Sequence, residues 1–251
     1  MSQSVERFSS RINDYIKYRP GYPTEIVELL KSECNLTPNS LIADIGSGTG
    51  KLTELFLANS NVVFGVEPNA GMRAAAQQIL GSFPNFKSIE GNAESTGLQT
   101  SSVDFITAGQ AFHWFDPDKF KLEARRILKA DGWVILTWNA RRLVSTPFLE
   151  DYEHLLLTYG TDYQEVRHEK AADLIPQFFA PGAFQVAVFP NGQVFDFEGL
   201  KGRLRSSSYT PGPGHPGFEP MIEEVRNVFD RHQTDGNVIF EYDTKVFYGH
   251  L

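Results

Sequence analysis

The sequence predicts a doubly wound α/β fold built around a mostly parallel sheet. Within the first 140 residues, strand-like and helix-like segments alternate four times, and the strand-like segments are almost continuously apolar. Such strands are typical of parallel sheets that helices cover on both faces. The stretch at 41–50, LIADIGSGTG, joins one of these strands to a helix through a glycine-rich turn. In doubly wound proteins this half-unit holds a nucleotide-like ligand.

Length, charge and cysteine content limit the possible classes of protein. A chain of 251 residues fits one domain, or one domain with an insertion. The net charge of -8 argues against a large nucleic-acid interface. The single cysteine, Cys34, excludes an intrachain disulfide and a multi-thiolate metal site. No signal-like apolar segment or membrane-length run is found. We therefore expect a cytoplasmic protein with no metal site, nucleic-acid partner or membrane association.

The first 40 residues are expected to form helices that cover the sheet. Apolar residues in 4–17 recur on one helical face. The motif YRPGYP then stops the helix, because residues before proline avoid the helical conformation. Thr24 is expected to cap a second helix, which directs Ile26 and Leu30 towards the core.

The next hundred residues supply five predicted strands and the helices between them. The strands are expected at 41–45, 62–66, 86–89, 103–108 and 133–138. Asn69 is predicted to cap a helix over 70–80. Asp116, followed by Pro117, is predicted to start a helix that ends near Lys129, with a turn at Ala130-Asp131-Gly132 before the fifth strand.

Beyond residue 139 the alternation changes. Helices are expected within 145–180, at 197–205 and at 221–232, and strands at 184–189 and 238–248. These strands would extend the sheet, and the helices and the Gly/Pro-rich loop between them could cover a site. Whether 197–235 moves as a lid is left open.

The glycine turn favours an amino-acid moiety over a pyrophosphate. Its glycines follow a G-x-G-x-G spacing, and Lys51 stands where a dinucleotide-binding turn needs a small residue. Asp44, two residues before Gly46, would repel a diphosphate but suits a ligand with an ammonium group. Glu67 ends the next strand, at the position where an acid can accept both hydroxyls of a ribose. Asn92 ends the third strand and could meet an adenine edge, although a loop-capping role is open for both residues.

Several motifs together resemble one known family. DIGSGTG, VEPN, GNAE, VDFITAGQAFHWFD and RRILKADG are similar to class I S-adenosylmethionine-dependent methyltransferases. The resemblance is to the small-molecule branch of methyltransferase type 11 and trans-aconitate methyltransferase-like proteins. It implies a Rossmann-like, seven-stranded, mostly parallel sheet with an antiparallel closing strand. It also implies a single methyltransferase domain over 1–251, with cover helices in 1–40, the cofactor-binding core in 41–140, and the last two strands with substrate-covering segments in 141–251.

The resemblance also implies a role for individual residues. S-adenosylmethionine would be the methyl donor, and an oligomeric state is not implied. The positions that would bind this cofactor are Asp44, Gly46, Ser47, Gly48, Glu67, Pro68, Asn92, Ala93, Glu94, Gln110, Tyr18 and Arg19. The positions that would bind substrate are Tyr15, Trp114, Arg142 and Tyr209. His113, a histidine at a strand end, would be the catalytic base, although a structural role is equally open and a carboxylate acceptor needs no base.

The expected reaction is methyl transfer by in-line displacement to a small organic molecule. Arginines near the predicted mouth would suit an anionic acceptor, although solvated surface positions are an alternative for them: Arg141, Arg142, Arg203 and Arg205. A methyltransferase acting on RNA or protein is one alternative function. A nicotinamide-dependent oxidoreductase, or a binding protein without catalysis, is another.

Overall fold

The computed structural model describes residues 12–161, 163 and 174–251, apart from the side chains of residues 12, 13 and 15. Residues 1–11, most of the predicted first helix, lie outside the described part. Seven strands form one sheet. They are β1 (Leu41–Ile45), β2 (Val62–Glu67), β3 (Phe86–Glu90), β4 (Val103–Gly109), β5 (Leu128–Arg141), β6 (Phe184–Phe195) and β7 (Val238–Gly249).

Helices precede, connect and follow these strands. In chain order they are α1 (Ile12–Tyr18), α2 (Glu25–Cys34), α3 (Thr53–Ala58), α4 (Ala70–Leu80), α5 (Pro117–Ile127), α6 (Pro147–Tyr159), α7 (Ile175–Phe179), α8 (Phe197–Arg205) and α9 (Phe218–His232). No helix in this described part of the chain is both long and apolar enough to cross a membrane.

The strand order is β3-β2-β1-β4-β5-β7-β6. The pairs among β1 to β5 are parallel, whereas β7 runs antiparallel to both β5 and β6. The predicted fold class is therefore confirmed. The order reverses between β1 and β4, and in such sheets a ligand binds beyond the carboxyl ends of the strands at this reversal.

Alternate strand residues supply the cores on the two faces of the sheet. Ile42 packs in one apolar cluster and its neighbour Ala43 in the other, and both are fully buried. A third cluster lies away from these two, where α6, α8 and α9 pack against the first residues of β7. This third cluster is built entirely from residues beyond 140 within the described chain, apart from partly buried Tyr18.

The predicted caps were partly right. The Asn69 side chain accepts a hydrogen bond from the Met72 amide, and the Asp116 side chain accepts one from the Lys119 amide, which confirms both helix starts. Thr24 was wrong as a cap, because its backbone is already helical and its hydroxyl instead donates to the adjacent Glu25 carboxylate.

Two strands are longer than predicted. β5 begins at Leu128, directly after α5, because Leu128 pairs with Val103 before the register shifts. The predicted turn at 130–132 is therefore an irregularity within a strand. β6 continues through Pro190 and Gly192 to Phe195, since it is an edge strand and proline is tolerated where an amide faces no neighbour.

Candidate functional site

A pocket of about 810 Å³, including its open mouth, lies at the carboxyl ends of β1 and β4. Four segments of the chain meet there: the glycine turn after β1, the segment after β4, the YRPGYP segment and the loop after α8. The described lining residues are Arg19, Pro20, Tyr22, Asp44, Gly46, Ser47, Gly48, Thr49, Lys51, Leu52, Gly109, Gln110, His113, Trp114, Asn139, Ser208 and Tyr209.

The glycine turn needs glycine for two different reasons. The backbone amides of Gly46 and Ser47 both donate to the Val66 carbonyl, which holds the turn against the end of β2. Gly46 has φ +68°, and a Cβ there would lie 2.7 Å from the Ala111 Cβ. Gly48 has φ +57°, but a Cβ there would meet nothing within 4 Å. Gly46 therefore fits closely against the chain, whereas Gly48 faces open space in the pocket.

Asp44 provides the pocket with a buried carboxylate. The side chain is 1% exposed. One carboxylate oxygen accepts from the Thr53 hydroxyl at 2.6 Å and the other from the Thr107 hydroxyl at 3.0 Å. Burial raises the pKa of Asp44 to about 6, against the opposing effect of these two hydrogen bonds. A cationic group in the pocket would stabilise the charged form of this carboxylate.

Glu67 is turned towards the backbone of the glycine turn. One of its oxygens accepts from the Gly48 amide at 3.0 Å, and the other accepts from the Asn69 amide at 2.8 Å. Burial raises the pKa of Glu67, while the two amide hydrogen bonds oppose the rise. Glu67 thus links the turn after β1 to the start of α4. It contacts Gly48, which lines the pocket, but it does not line the pocket itself.

The predicted nucleoside-binding residues lie near Glu67 and outside the pocket lining. The Asn92 Oδ1 accepts from the Ser95 amide at 2.8 Å and closes a short turn after β3. Ala93 is buried, and the Glu94 carboxylate accepts from the Asp116 amide at 2.9 Å. Pro68 is exposed at the end of β2. The pocket therefore brings together one half of the predicted cofactor residues and leaves the other half beside it.

Gln110 and Asn139 hold the tips of β4 and β5 together. Gln110 has φ +54°. Its side-chain oxygen accepts from the Asn139 amide at 3.2 Å. The Asn139 side chain donates to the Gly21 carbonyl at 3.0 Å and accepts from the Thr244 hydroxyl at 2.5 Å. This network attaches the YRPGYP segment to the sheet at the pocket.

The predicted residues of the N-terminal segment have different surroundings. Arg19 lines the pocket and donates to the Ser206 carbonyl at 2.9 Å, which joins this segment to the loop after α8. The Tyr18 ring packs against the backbone of Gly202, where a Cβ would overlap the ring. It does not line the pocket. Tyr15 belongs to α1, but its side chain lies outside the described part of the structure.

His113 and Trp114 come from a single 3-10 turn, Phe112–Trp114, directly after β4. Phe112 is buried and anchors this turn in the core. The rings of His113 and Trp114 lie 4.7 Å apart, and both residues line the pocket. The turn therefore presents an imidazole and an indole to the same space as Asp44.

Tyr209 forms a further wall of the pocket and lies among positive charges. Burial alone would raise the pKa of Tyr209, but the nearby charges of Arg203, Arg19 and Arg141 outweigh it, so the pKa lies below its ordinary value. Two of these arginines, Arg141 and Arg203, do not line the pocket themselves.

None of the four arginines nominated from the sequence as anion-binding groups lines the pocket. Arg142 pairs with Asp243 at 2.7 Å on the neighbouring strand β7 and does not line the pocket. Arg205 lies 3.3 Å from Asp14 of α1. Of these four arginines, Arg141 and Arg203 are the ones whose charges act on Tyr209.

Thr53, Thr107 and Asn139 belong to the site but were not predicted from the sequence. Asn139 lies near the end of β5 as Gln110 follows β4, so a polar residue close to a strand end could have identified it. Thr53 and Thr107 carry no such signal, because a threonine in a helix start or a strand is common.

The pocket fits the methionine half of S-adenosylmethionine. The buried Asp44 carboxylate can accept an ammonium group, and Gly48 leaves open space beside it. Lys51 and Arg19 also line the pocket and can bind a carboxylate.

Comparison with known proteins gives the family. Residues 43–136 match the methyltransferase domain family. The chain is 30% identical over 240 residues to an uncharacterized methyltransferase of Schizosaccharomyces pombe, covering 92% of this chain and 93% of the relative.

Solved structures share the fold at lower identity. A protein of Anabaena variabilis, described as a methyltransferase from an antibiotic biosynthesis pathway, has a TM-score of 0.63 at 21% identity over 94% of this chain and 99% of that one. A protein of Anaeromyxobacter dehalogenans, described as a type II methyltransferase, has a TM-score of 0.60 at 18% identity over 93% and 98%. Motifs, fold and relatives agree: the chain belongs to the class I S-adenosylmethionine-dependent methyltransferases.

Proposed function

We propose that this methyltransferase acts on a small anionic organic molecule. The observation that supports the proposal is the position of Tyr209, which lines the pocket with Asp44 and lies among Arg19, Arg141 and Arg203. In a chain with a net charge of -8, one guanidinium group in the pocket wall and two more behind Tyr209 would attract an anion.

The cofactor-binding residues have distinct tasks in this proposal. When bound, S-adenosylmethionine would supply a methyl group on a positively charged sulfur, to which an acceptor atom bonds in line while the carbon–sulfur bond breaks and the neutral thioether leaves. Asp44 binds the ammonium group, and Gly46, Ser47 and Gly48 provide the turn on which the amino-acid moiety lies. Glu67 accepts hydrogen bonds from the ribose.

The remaining cofactor contacts are carried by short segments at strand ends. Asn92 and the Ala93 backbone meet the adenine, with Pro68 and Glu94 flanking it. Gln110 lies beside the reacting end, where the Asn139 amide fixes its side chain. Arg19 binds the carboxylate of the cofactor, and Tyr18 supports Arg19 by packing on α8.

The acceptor side of the pocket is aromatic, with arginines behind its Tyr209 wall. Trp114 and Tyr209 form its walls, and they exclude water from the reacting atoms. Tyr15 would close it from α1. His113 lines the same space and takes a proton from an acceptor whose pKa requires a base. The geometry favours Arg141 and Arg203 over Arg142 for the contact with the anionic group.

Two measurements test the proposal. Scanning calorimetry with S-adenosylhomocysteine and with NAD separately should show stabilisation by the first compound alone. Transfer of labelled methyl from S-adenosylmethionine should then be measured on matched sets of small carboxylic acids, their amides and neutral amines. We expect turnover within the acid set. Turnover confined to the amides or amines would contradict an anionic acceptor, and stabilisation by NAD alone would contradict the cofactor.

A further inference from the structure

The third apolar cluster contains buried polar groups that the apolar packing does not require. Arg203 of α8 is 5% exposed and Tyr152 of α6 is 1% exposed. The Arg141 side chain, at the end of β5, is 9% exposed. Burying a guanidinium group is costly unless a carboxylate or several acceptors surround it. The hydrogen bonds and ion pairs of these groups therefore show whether each buried polar group in the cluster has a partner.

Arg203 contacts neutral hydroxyl groups. Its Nε donates to the Tyr242 hydroxyl at 3.2 Å, and its Nη1 donates to the Ser207 hydroxyl at 3.0 Å. Its guanidinium carbon lies 5.7 Å from the centroid of the Phe240 ring. Within the described residues, no carboxylate lies within 4.0 Å of Arg203. Its charge is therefore uncompensated by a direct ion pair in this part of the chain.

One terminal nitrogen of the Arg141 guanidinium group is paired, and the other is not. Its Nη2 donates to the Glu153 carboxylate and, at 3.0 Å, to the Tyr163 hydroxyl. Its Nη1 is buried and has no hydrogen-bond partner among the residues that the structure describes. The buried hydroxyl of Tyr152 likewise has none there, and the Arg141 guanidinium carbon lies 5.3 Å from the centroid of the Tyr152 ring. Unsatisfied buried donors of this kind require a partner.

The two arginines act on the same two tyrosines. The charges of Arg141 and Arg203 both lower the pKa of Tyr152 and of Tyr209, although burial raises the pKa of Tyr152 overall. Tyr209 also lines the pocket. Tyr209 also packs against the third cluster, with its ring 4.9 Å from the Tyr163 ring, so this cluster adjoins the acceptor side of the pocket.

We propose that Arg203, Arg141 and the Tyr152 hydroxyl form a subsite for a carboxylate group of the acceptor molecule. The subsite rests on the proposed function. Because neither arginine lines the cofactor pocket, the carboxylate held here is not the methyl-accepting group and stays charged in the product. It fixes the orientation of the acceptor, while another atom of the same molecule lies at the pocket.

The charge count favours a carboxylate over a phosphate group. Glu153 compensates Arg141, so the pair of arginines carries one positive charge more than the described carboxylates in contact with it. A singly charged, planar carboxylate matches one free charge, and its two oxygens can accept from unpartnered donors such as the Arg141 Nη1 and the Tyr152 hydroxyl. A phosphate dianion would leave a buried negative charge without a partner.

The test uses the full chain saturated with S-adenosylhomocysteine, with acetate, succinate and inorganic phosphate as probes and chloride at the same ionic strength as reference. Thermal unfolding should show that a carboxylate probe raises the Tm of the wild type above that in chloride. Arg203→Met should abolish this difference. Tyr152→Phe keeps the ring and both arginines, and should raise the carboxylate concentration for half-maximal stabilisation by roughly threefold or more.

A matched control is Lys201→Met, which removes a positive charge from the same helix. Lys201 pairs with Glu198. Its variant should respond to carboxylate like the wild type. A purely structural Arg203 would lower the Tm equally with and without carboxylate, so the difference between the two conditions is the decisive quantity. If Arg203→Met does not fold, the carboxylate concentration needed to stabilise Tyr152→Phe decides whether the subsite exists.

The subsite is overturned if neither carboxylate stabilises the wild type more than chloride, if phosphate alone does so, or if Tyr152→Phe and Arg203→Met both respond fully. The same holds if Arg142→Met, and not Arg203→Met, removes the response. The methylation assay separates this failure from that of the proposed function. Equal turnover of an acid by the wild type and by Arg203→Met would keep the function and reject the subsite. Absence of turnover on any acid by the wild type would reject the function.

Discussion

The Asn139 side chain donates a hydrogen bond of 3.0 Å to the Gly21 carbonyl, across 118 residues of sequence. Asn139 lies near the end of β5 at the pocket, and Gly21 lies in the segment that contributes Arg19 and Tyr22 to the pocket wall. The Asn191 side chain donates to the same carbonyl, also at 3.0 Å. Two strands therefore hold the covering segment through one backbone oxygen.

Replacing Asn139 should loosen this covering segment. Asn139→Ala leaves the buried Thr244 hydroxyl without its acceptor and the Gly21 carbonyl without one of its two side-chain donors, and should lower stability by about 1–3 kcal/mol. It should also weaken S-adenosylhomocysteine binding, because Arg19 is then less well positioned. Chemical denaturation and isothermal titration calorimetry measure the two effects. Asn191→Ala removes the second donor outside the pocket and should cost less in both; equal losses would contradict a special role for Asn139.

Glu67→Gln should weaken cofactor binding much more than it lowers stability. The carboxylate accepts from two backbone amides. The substitution replaces one carboxylate oxygen with an NH2 group. This group is a donor, so it repels one of those backbone amides and cannot accept from a ribose hydroxyl. We expect S-adenosylhomocysteine affinity to fall by about tenfold or more by calorimetry.

A neighbouring acid provides the control for Glu67. Glu90 lies opposite Glu67 in the pairing of β2 with β3, and it is an exposed partner of Arg73. Glu90→Gln should bind S-adenosylhomocysteine like the wild type. If both variants lose the same affinity, the loss reflects the charge of this sheet edge, and Glu67 does not bind the ribose.

Titration of the Asp44 carboxyl group should make stability and cofactor affinity change with pH in opposite directions. Because burial raises its folded pKa to about 6, above the value of 3.8 in the unfolded chain, the folded state binds the additional proton between these values. Protonation of Asp44 therefore stabilises the fold as the pH falls from about 7 towards about 4. The same protonation removes the charge that binds an ammonium group, so affinity should fall by up to about tenfold per pH unit below about 6.

The isosteric variant Asp44→Asn tests this relationship. It should bind S-adenosylhomocysteine weakly at neutral pH and lose the step in affinity near pH 6, while its unfolding temperature at neutral pH is at least that of the wild type. Calorimetric titrations and thermal scans across the pH range measure both quantities. An affinity step that persists in Asp44→Asn would assign the titration to another group, with Glu67 the first candidate because burial raises its pKa as well.

Gly46 and Gly48 should respond differently to alanine. At Gly46 the added methyl group meets the Ala111 Cβ at 2.7 Å, and φ is +68°, so Gly46→Ala should destabilise the fold by about 2–4 kcal/mol. Gly48→Ala carries the backbone cost alone, about 1–2 kcal/mol, but places its methyl group in the pocket. Thermal unfolding should rank Gly46→Ala as the less stable variant. Unimpaired S-adenosylhomocysteine binding by Gly48→Ala would contradict the location of the amino-acid moiety.

Local sequence patterns predicted much of the fold. Apolar strands, Asn69 and Asp116 as caps, and the glycine turn each act within a few residues, so their physical causes are visible in the sequence. The extent of β6 could not be predicted in the same way. It depends on pairing with β7 along its whole length, and only the position of β6 at the sheet edge makes Pro190 acceptable.

The pocket was predictable on one side. Asp44 lies near the end of β1, and Gln110 and His113 follow β4, so the meeting of these strand ends in the sheet brings the three residues together. The choice of arginines depends on packing between distant helices. Arg141 and Arg142 are adjacent in sequence, yet alternation along β5 sends one to Glu153 in the interior and the other to Asp243. No local signal distinguishes these two directions.

The contact between Glu67 and the Gly48 amide has a consequence for the kinetics of cofactor binding. The carboxylate already holds the glycine turn before any nucleoside arrives, and with the Asn69 amide it fixes the turn to the start of α4. The turn therefore loses little conformational entropy on association. Its amide hydrogens should exchange slowly even in the apoprotein, and encounter with the cofactor becomes docking onto a preorganised surface, with little induced fit at this end of the sheet.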